Sequence, residues 1–415
     1  MDILKTLAKK LLSSRLFNYF GISIINFDLL KYVHHYKWVL KFRKVPNQSI
    51  VYNQAKQVTG KDIHLCERLI KAYRNATHYD GFTTEETISE LWSFNIKQQY
   101  GKLFSALESA NPEYLASILS SMFRESFVCG VASGDLVSHS KSTIGSKIWS
   151  MKYQDNILAL AEYLGCVRLE SPQQGKSAEA LKDGGVNSLV AKIEDALCIS
   201  MNFPDVGAPY GIKANGAHIT MEHPEHIYAS LRIHEATQLH LKKNAEEKLN
   251  IMEIGCGTGG LAYWTRMLGR MPIKAYTLID LPIVNVLQGY FLAQAYTPLE
   301  VNLWGEPPCD QAIYHVYPTQ GVKLIENKID VLINQNSMPE MTNEIVEGYL
   351  QFASKMVEGI FFSYNHEAYA PIFGVPQVLV PEIAANIGGF IRVSRNASWV
   401  RNGYVEETYS INQNS

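Results

Sequence analysis

Residues Leu249 to Leu261 read LNIMEIGCGTGGL, and this stretch decides the fold. The apolar run from Leu249 to Ile254 has the length of a buried parallel strand. It stops at Gly255, Gly257, Gly259 and Gly260, and a helix-compatible segment follows from Leu261 to Leu268. Strand, glycine turn and helix in that order open a βαβ unit. Glycines let the backbone turn tightly and approach a ligand, and the free N–H groups of the helix's first turn face whatever is bound.

Gly255, Gly257 and Gly260 satisfy the dinucleotide pattern G-x-G-x-x-G, so the glycines alone leave a nicotinamide cofactor open. Glu253, two residues before the first glycine, adds a second feature. With the spacing of Gly255, Gly257 and Gly259, it resembles motif I of the class I S-adenosylmethionine-dependent methyltransferases.

Downstream the pattern alternates regularly. Strands are expected at 274–280, 300–304, 312–316, 328–334 and 359–364, with helices at 282–295 and 342–358. Alternating β and α predicts an α/β fold, a mainly parallel sheet with helices on both faces. Two closing strand-like runs, 389–395 and 405–411, flank Asn402-Gly403 and read as an antiparallel hairpin. Such a hairpin is typical of a Rossmann-like methyltransferase sheet.

Upstream the signals are mostly helical. Thr83 and Glu86 form a capping-box pattern, and Asn111-Pro112 opens a helix with Leu115, Ile118, Leu119 and Met122 on one stripe. Stretches 132–146 and 170–188 are polar and loop-like. Residues 201–226 hold two prolines and three glycines in the run to Gly216 and read as a long functional loop, followed by a helix from Pro224 to about Lys243. The expected organisation is a basic arm at 1–50, a helical domain at 51–200, and a cofactor domain at 201–415 with an acceptor loop at 201–226.

Asp280 ends the second strand, where an acid accepts hydrogen bonds from ribose hydroxyls, or alternatively caps the helix starting at Pro282. The motif I resemblance implies that Glu253 orients a methionine amine. Glu306, in NLWGE, reads either as an adenine contact or as an exposed loop acid. The fourth strand ends in NQNSMPEM, which brings Asn336 and Glu340 to the expected sulfonium; Asn336 also suits a turn. This is not the D/N-P-P-Y/F/W pattern of enzymes that methylate nucleic-acid bases.

The series MEIGCGTGGLAYW, LIDLPI, NLWGE and INQNSMPEM is similar to the sugar O-methyltransferase family of bacterial surface-polysaccharide loci, over roughly residues 200 to 400. The resemblance implies S-adenosylmethionine as cofactor and a sugar hydroxyl as acceptor. Cys256 and Thr258 depart from the family's usual residues. A sugar hydroxyl is weakly acidic and benefits from a base. His366, in SYNHEAY after the fifth strand, and Glu340 are the candidates. His218, His223 and His226 are candidates for lining the acceptor, and each also has an ordinary structural reading. Their H-x4-H-x2-H spacing matches no established metal set, so no metal is predicted, although a divalent ion would suit the chemistry.

Composition bounds the remaining possibilities. The chain has 415 residues, is 47% hydrophobic and 19% charged, and carries a formal charge of −2. That describes a globular protein with more than one domain. Residues 1–50 hold nine lysines and arginines against two aspartates, so the rest is acidic and nucleic acid is not an expected partner. The basic, amphipathic stretch 1–44 suits an anionic membrane surface, although amphipathic helices more often pack on their own protein or a subunit partner, which leaves oligomerisation open. Six cysteines without a C-x-x-C read as reduced thiols, and the expected location is the cytoplasm, membrane-peripheral if the arm binds lipid. Two alternatives stand beside the methyltransferase: an NAD(P)-dependent oxidoreductase, and a non-catalytic cofactor-binding protein that docks through its arm.

Overall fold

The structure is a computed structural model and describes residues 48–78, 89–128, 131–132, 143–169, 179–182, 184–241, 243–244, 246–368 and 377–412. The expected basic arm, the Thr83 and Glu86 pair and most of the two polar stretches lie outside the described residues. Among the described residues no helix is long and apolar enough to cross a membrane.

Internal contacts divide the chain into two units. The first gathers the described residues of 1–53, 133–203 and 210–224; the second gathers 54–132, 204–209 and 225–415. This differs from the expected split at residue 200. The early helices belong with the glycine-turn domain because they pack on it: the helix Gly60–Thr77 lies along Pro282–Ala295, where a Cβ on Gly289 would come within 2.7 Å of Leu69.

In the first unit, β1 (Ile50–Tyr52), β2 (Tyr210–Ala214) and β3 (Ala217–Ile219) form an antiparallel sheet in that order. The stretch expected as a loop thus contains a hairpin. Its two-residue turn is Asn215-Gly216, with φ of 49° and 80°, the left-handed pair that matches the twist of a tight hairpin. The helix Gly185–Leu197 buries Val186, Leu189, Val190, Ile193 and Leu197, one stripe at helical spacing.

The second unit is built on an eight-stranded sheet. Its strands are β4 (Leu249–Ile254), β5 (Ile273–Asp280), β6 (Val301–Leu303), β7 (Tyr314–Pro318), β8 (Ile329–Gln335), β9 (Val357–His366), β10 (Phe390–Ala397) and β11 (Tyr404–Ile411). Across the sheet the order is β10-β11-β9-β8-β4-β5-β7-β6. All neighbours from β9 to β6 pair in parallel, while β11 is antiparallel to both β9 and β10. Helix Pro282–Ala295 occupies the residues its sequence predicts, because proline at the first position fixes the start. Strand β8 is buried at every residue, as a central parallel strand covered on both faces must be. One core packs Met252, Ile254, Leu332, Leu350, Phe361 and Tyr409 beneath the helices Asn343–Met356 and Val380–Ile387. The parallel register brings Ile254, Asp280, Pro318, Gln335 and His366 to the same edge, the carboxyl end where open α/β sheets take ligands.

Candidate active site

The glycine turn leaves β4 with Gly255, Gly257 and Gly259 at φ of 70°, 54° and 85°. L side chains are strained in that region, so all three positions require glycine. A Cβ at Gly255 would also overlap Ser337, whose hydroxyl bonds the Ile254 carbonyl at 3.1 Å. Asn334 completes the seam: its Nδ2 donates to Ile254 O at 2.8 Å and its Oδ1 accepts from Asn365 Nδ2 at 2.8 Å, tying β4 and β9 to β8.

Asp280 faces this turn. Its Oδ2 accepts from Cys256 N (2.8 Å), Gly257 N (3.2 Å) and Gln288 Nε2 (2.9 Å), and its Oδ1 accepts from Leu281 N at 2.8 Å. Burial pushes the carboxyl up and these four donors pull it back, leaving it at about 7. The capping and cofactor-facing expectations meet in one side chain, with most of its acceptor capacity already used. A lone-pair site on Oδ1 remains for a ribose hydroxyl.

Glu253 is 2% exposed, and its Oε2 accepts from Tyr276 Oη on the neighbouring strand at 2.7 Å. Burial raises it to about 8, with Tyr276 opposing and Asp280 adding to the rise. The chain itself supplies this carboxyl with a partner, where the motif resemblance implied an ammonium.

The rest of the edge centres on Glu225, whose helix His223–His240 leads into β4. Its Oε1 accepts from Asn336 Nδ2 at 2.8 Å, Gln335 Nε2 at 3.1 Å and Arg401 Nη1 at 3.1 Å. Burial works against the charge, but Arg401 and Asn336 outweigh it and hold the carboxyl below its ordinary value. Arg401 lies 3.9 Å above the Tyr404 ring, a cation–π contact. The His366 ring meets the other side of this cluster, edge-on to Tyr404 at 5.5 Å. Glu340 accepts from Trp92 Nε1 at 3.1 Å; burial lifts it to about 7 against the pull of Trp92 and Arg401. His226 is half-buried against Gly260, where a Cβ would stand 2.5 Å from its ring, and desolvation lowers it to about 4.

The edge thus brings together Asp280, His226, Asn336, Glu340 and His366 with the glycines. Glu225, which the sequence places in the acceptor loop beside His223 and His226, joins them, and so do Arg401, Trp92 and Tyr404, which the sequence did not mark as site residues. Other expected residues sit elsewhere. Glu306 forms a two-point ion pair with Arg68 (2.7 and 2.8 Å) and caps Leu303 N at 2.8 Å, so its carboxylate has partners within the fold. His218 belongs to β3 in the first unit, where its N–H donates to Asn202 Oδ1 at 2.9 Å, and His223 packs against Phe203 at 5.8 Å. Among the described residues no three His, Cys, Asp or Glu side chains gather as a metal site.

The edge fits a nucleoside sulfonium with an amino-acid tail. Backbone free of side chains lines the turn, and the spare Oδ1 site of Asp280 suits a hydroxyl. Glu225 takes the NH2 groups of Asn336 and Gln335, so Asn336 Oδ1 and Gln335 Oε1 remain buried acceptors without a donor among the described residues. A ligand N–H or O–H there would satisfy them.

No protein-family model matches the chain, and neither does any curated protein. Solved structures with a similar arrangement include the mitomycin 7-O-methyltransferase MmcR (13% identity, 67% of this chain and 99% of that one, TM-score 0.32). Another is magnesium protoporphyrin IX methyltransferase ChlM from Synechocystis PCC 6803 with bound SAM (12%, 44% and 80%, TM-score 0.30). A third is the cyclopropane synthase MmaA2 from Mycobacterium tuberculosis (13%, 40% and 62%, TM-score 0.29). At such scores these likenesses carry no argument about this chain's chemistry; the fold rests on its own strand order.

Proposed function

We propose that the chain is an S-adenosylmethionine-dependent methyltransferase acting on oxygen, and that its acceptor is a sugar hydroxyl on a nucleotide sugar, a glycan or a surface-polysaccharide precursor. The observation that carries the donor class is β11, an antiparallel strand inserted between β9 and β10, in a sheet whose strand β4 ends in a glycine turn of the motif I kind. A nicotinamide Rossmann sheet runs 3-2-1-4-5-6 without that insertion, which disfavours the oxidoreductase alternative. The sugar acceptor is supported by the resemblance of the sequence motifs.

When bound, the cofactor supplies an electrophilic methyl group on sulfur. The chain's own part is to hold donor and acceptor in line, exclude water and receive the hydroxyl proton. Of the two candidate bases, the geometry favours Glu340. Its Oε2 is held by Trp92 while Oε1 has no partner among the described residues. His366 accepts the Ala368 N–H on Nδ1 at 3.2 Å, which puts its own proton on Nε2 and leaves that nitrogen a donor.

Isothermal titration of the full chain with S-adenosylhomocysteine and with NADH separates the donor classes, and tight NADH binding alone would overturn the proposal. Transfer of labelled methyl from S-adenosylmethionine to a cell-extract glycan or nucleotide sugar, followed by mass analysis of the product, tests the acceptor. A label found only on nitrogen or on a non-sugar oxygen would reject the sugar.

A further inference from the structure

We infer that Gln288 is a positioning residue for the donor's ribose. It locks Asp280 and the glycine turn into one hydrogen-bonded unit, so that the ribose is held through one oxygen of that carboxylate and one hydroxyl. The inference rests on the donor class proposed above.

Gln288 lies in the second turn of the helix Pro282–Ala295 and is wholly buried. A buried primary amide is costly unless its groups are bonded, and this one is bonded at both ends. Its Nε2 donates to Gly257 O at 3.0 Å and to Asp280 Oδ2 at 2.9 Å, while Oε1 accepts from Asn285 Nδ2 at 2.9 Å. The orientation of the amide is dictated by its partners, because both neighbours on the Nε2 side are acceptors and cannot face Oε1.

The consequence falls on Asp280. An ionised carboxylate offers about four lone-pair sites. Cys256 N, Gly257 N and Gln288 Nε2 crowd Oδ2, and Leu281 N takes one site of Oδ1, which leaves one. Without Gln288 the carboxyl loses the donor that comes from the helix side and can rotate to present both oxygens. Gln288 also holds the Gly257 carbonyl away from the ligand, so the turn's backbone and the ribose acid are set by the same side chain.

The test measures binding of S-adenosylhomocysteine and its 2′-deoxy and 3′-deoxy ribose analogues by calorimetry, with the unfolding midpoint of each apo protein alongside. For the wild-type chain, one deoxy analogue should bind about 10- to 100-fold more weakly than the parent, as for one lost hydrogen bond to a charged group, and the other less than about threefold more weakly. In Gln288→Leu, and in Gln288→Met as a second variant of different shape, parent affinity should fall roughly tenfold. The gap between the two analogues should shrink in both variants. A purely structural role would lower the unfolding midpoint and leave the analogue preference unchanged, and that result overturns the inference. So does equal loss on both analogues by the wild-type chain, which would mean a two-hydroxyl contact. Failure of the wild-type chain to bind S-adenosylhomocysteine at all would overturn the donor class itself, and this inference with it.

Discussion

The imidazole of His226 crowds Gly260 with its Cε1–Nδ1 edge: a Cβ on that glycine would stand 2.5 Å from Cε1 and 2.6 Å from Nδ1. The absent side chain at the start of the helix Gly260–Met267 therefore serves a neighbouring histidine as well as any ligand. Gly260→Ala should destabilise the chain by about 1–3 kcal/mol, the usual range for overpacking a filled site. His226→Ala in the same chain should recover part of that loss. Urea unfolding of the four proteins in the cycle checks this, and strictly additive effects would show that the two residues do not compete for the same space.

Proton removal gives the second prediction. If Glu340 is the base, kcat/KM should rise with pH through about 7, where burial has lifted its carboxyl, and Glu340→Gln should lose about 10²- to 10⁴-fold. Trp92 donates to the ionised form and so holds the carboxyl down. Trp92→Phe should accordingly move the rising limb to higher pH. His366→Ala should retain most of its activity. A large loss in His366→Ala with a near-normal Glu340→Gln would reverse the assignment.

Stability should also depend on pH in a direction set by the buried acids. Glu253 stands at about 8 against an ordinary 4.5, so between those values the folded state holds a proton that the unfolded state has lost. Stability contributed there falls as pH rises. Asp280, at about 7, acts in the same sense. The half-buried histidines His226, His315 and His366 are all pushed down by desolvation, and their opposing slopes end near 6.5. The unfolding temperature of the apo protein should therefore drop between pH 6.5 and 8, and Glu253→Gln should flatten the drop. An unchanged slope in that variant would assign the effect to other groups.

Glu225 gathers donors from two distant places in the sequence, Gln335-Asn336 and Arg401. Removing it strands the amide groups of Gln335 and Asn336 and leaves Arg401 without its ion-pair partner. The Arg401 side chain keeps 40% exposure, so water compensates for part of the loss. Glu225→Ala should cost about 2 kcal/mol, below the range for a fully buried pair and above that for a surface one. Denaturant unfolding measures it, and a change under about 0.5 kcal/mol would mean the hub is solvated.

Much of the α/β unit was legible locally. Asn111 caps the helix Pro112–Leu119 through Tyr114 N at 2.8 Å, as its position before a proline implies. The hairpin at Asn402-Gly403 was read from its turn. The equally explicit Asn215-Gly216 turn is masked by the prolines and glycines before it, which give 201–226 the composition of one irregular loop. Strand β7 lies two residues later than expected, since Ala312 and Ile313 are apolar enough to pass for the start of a strand. Glu306 shows the limit of reasoning from position alone: nothing near it in the sequence announces Arg68, 238 residues away.

The sequence by itself determined the order of strand, glycine turn and helix, and with it the parallel sheet and the place of Asp280. Those depend on apolar periodicity and on backbone freedom, which act over a few residues. Tertiary structure alone decided that Trp92 holds Glu340 across 248 residues and that Arg401 holds Glu225 across 176. It also decided that Gln288 donates to Asp280 and to the glycine turn together. A hydrogen bond needs two groups within about 3 Å, and only the packing of whole helices on a finished sheet brings residues so far apart in sequence to that distance.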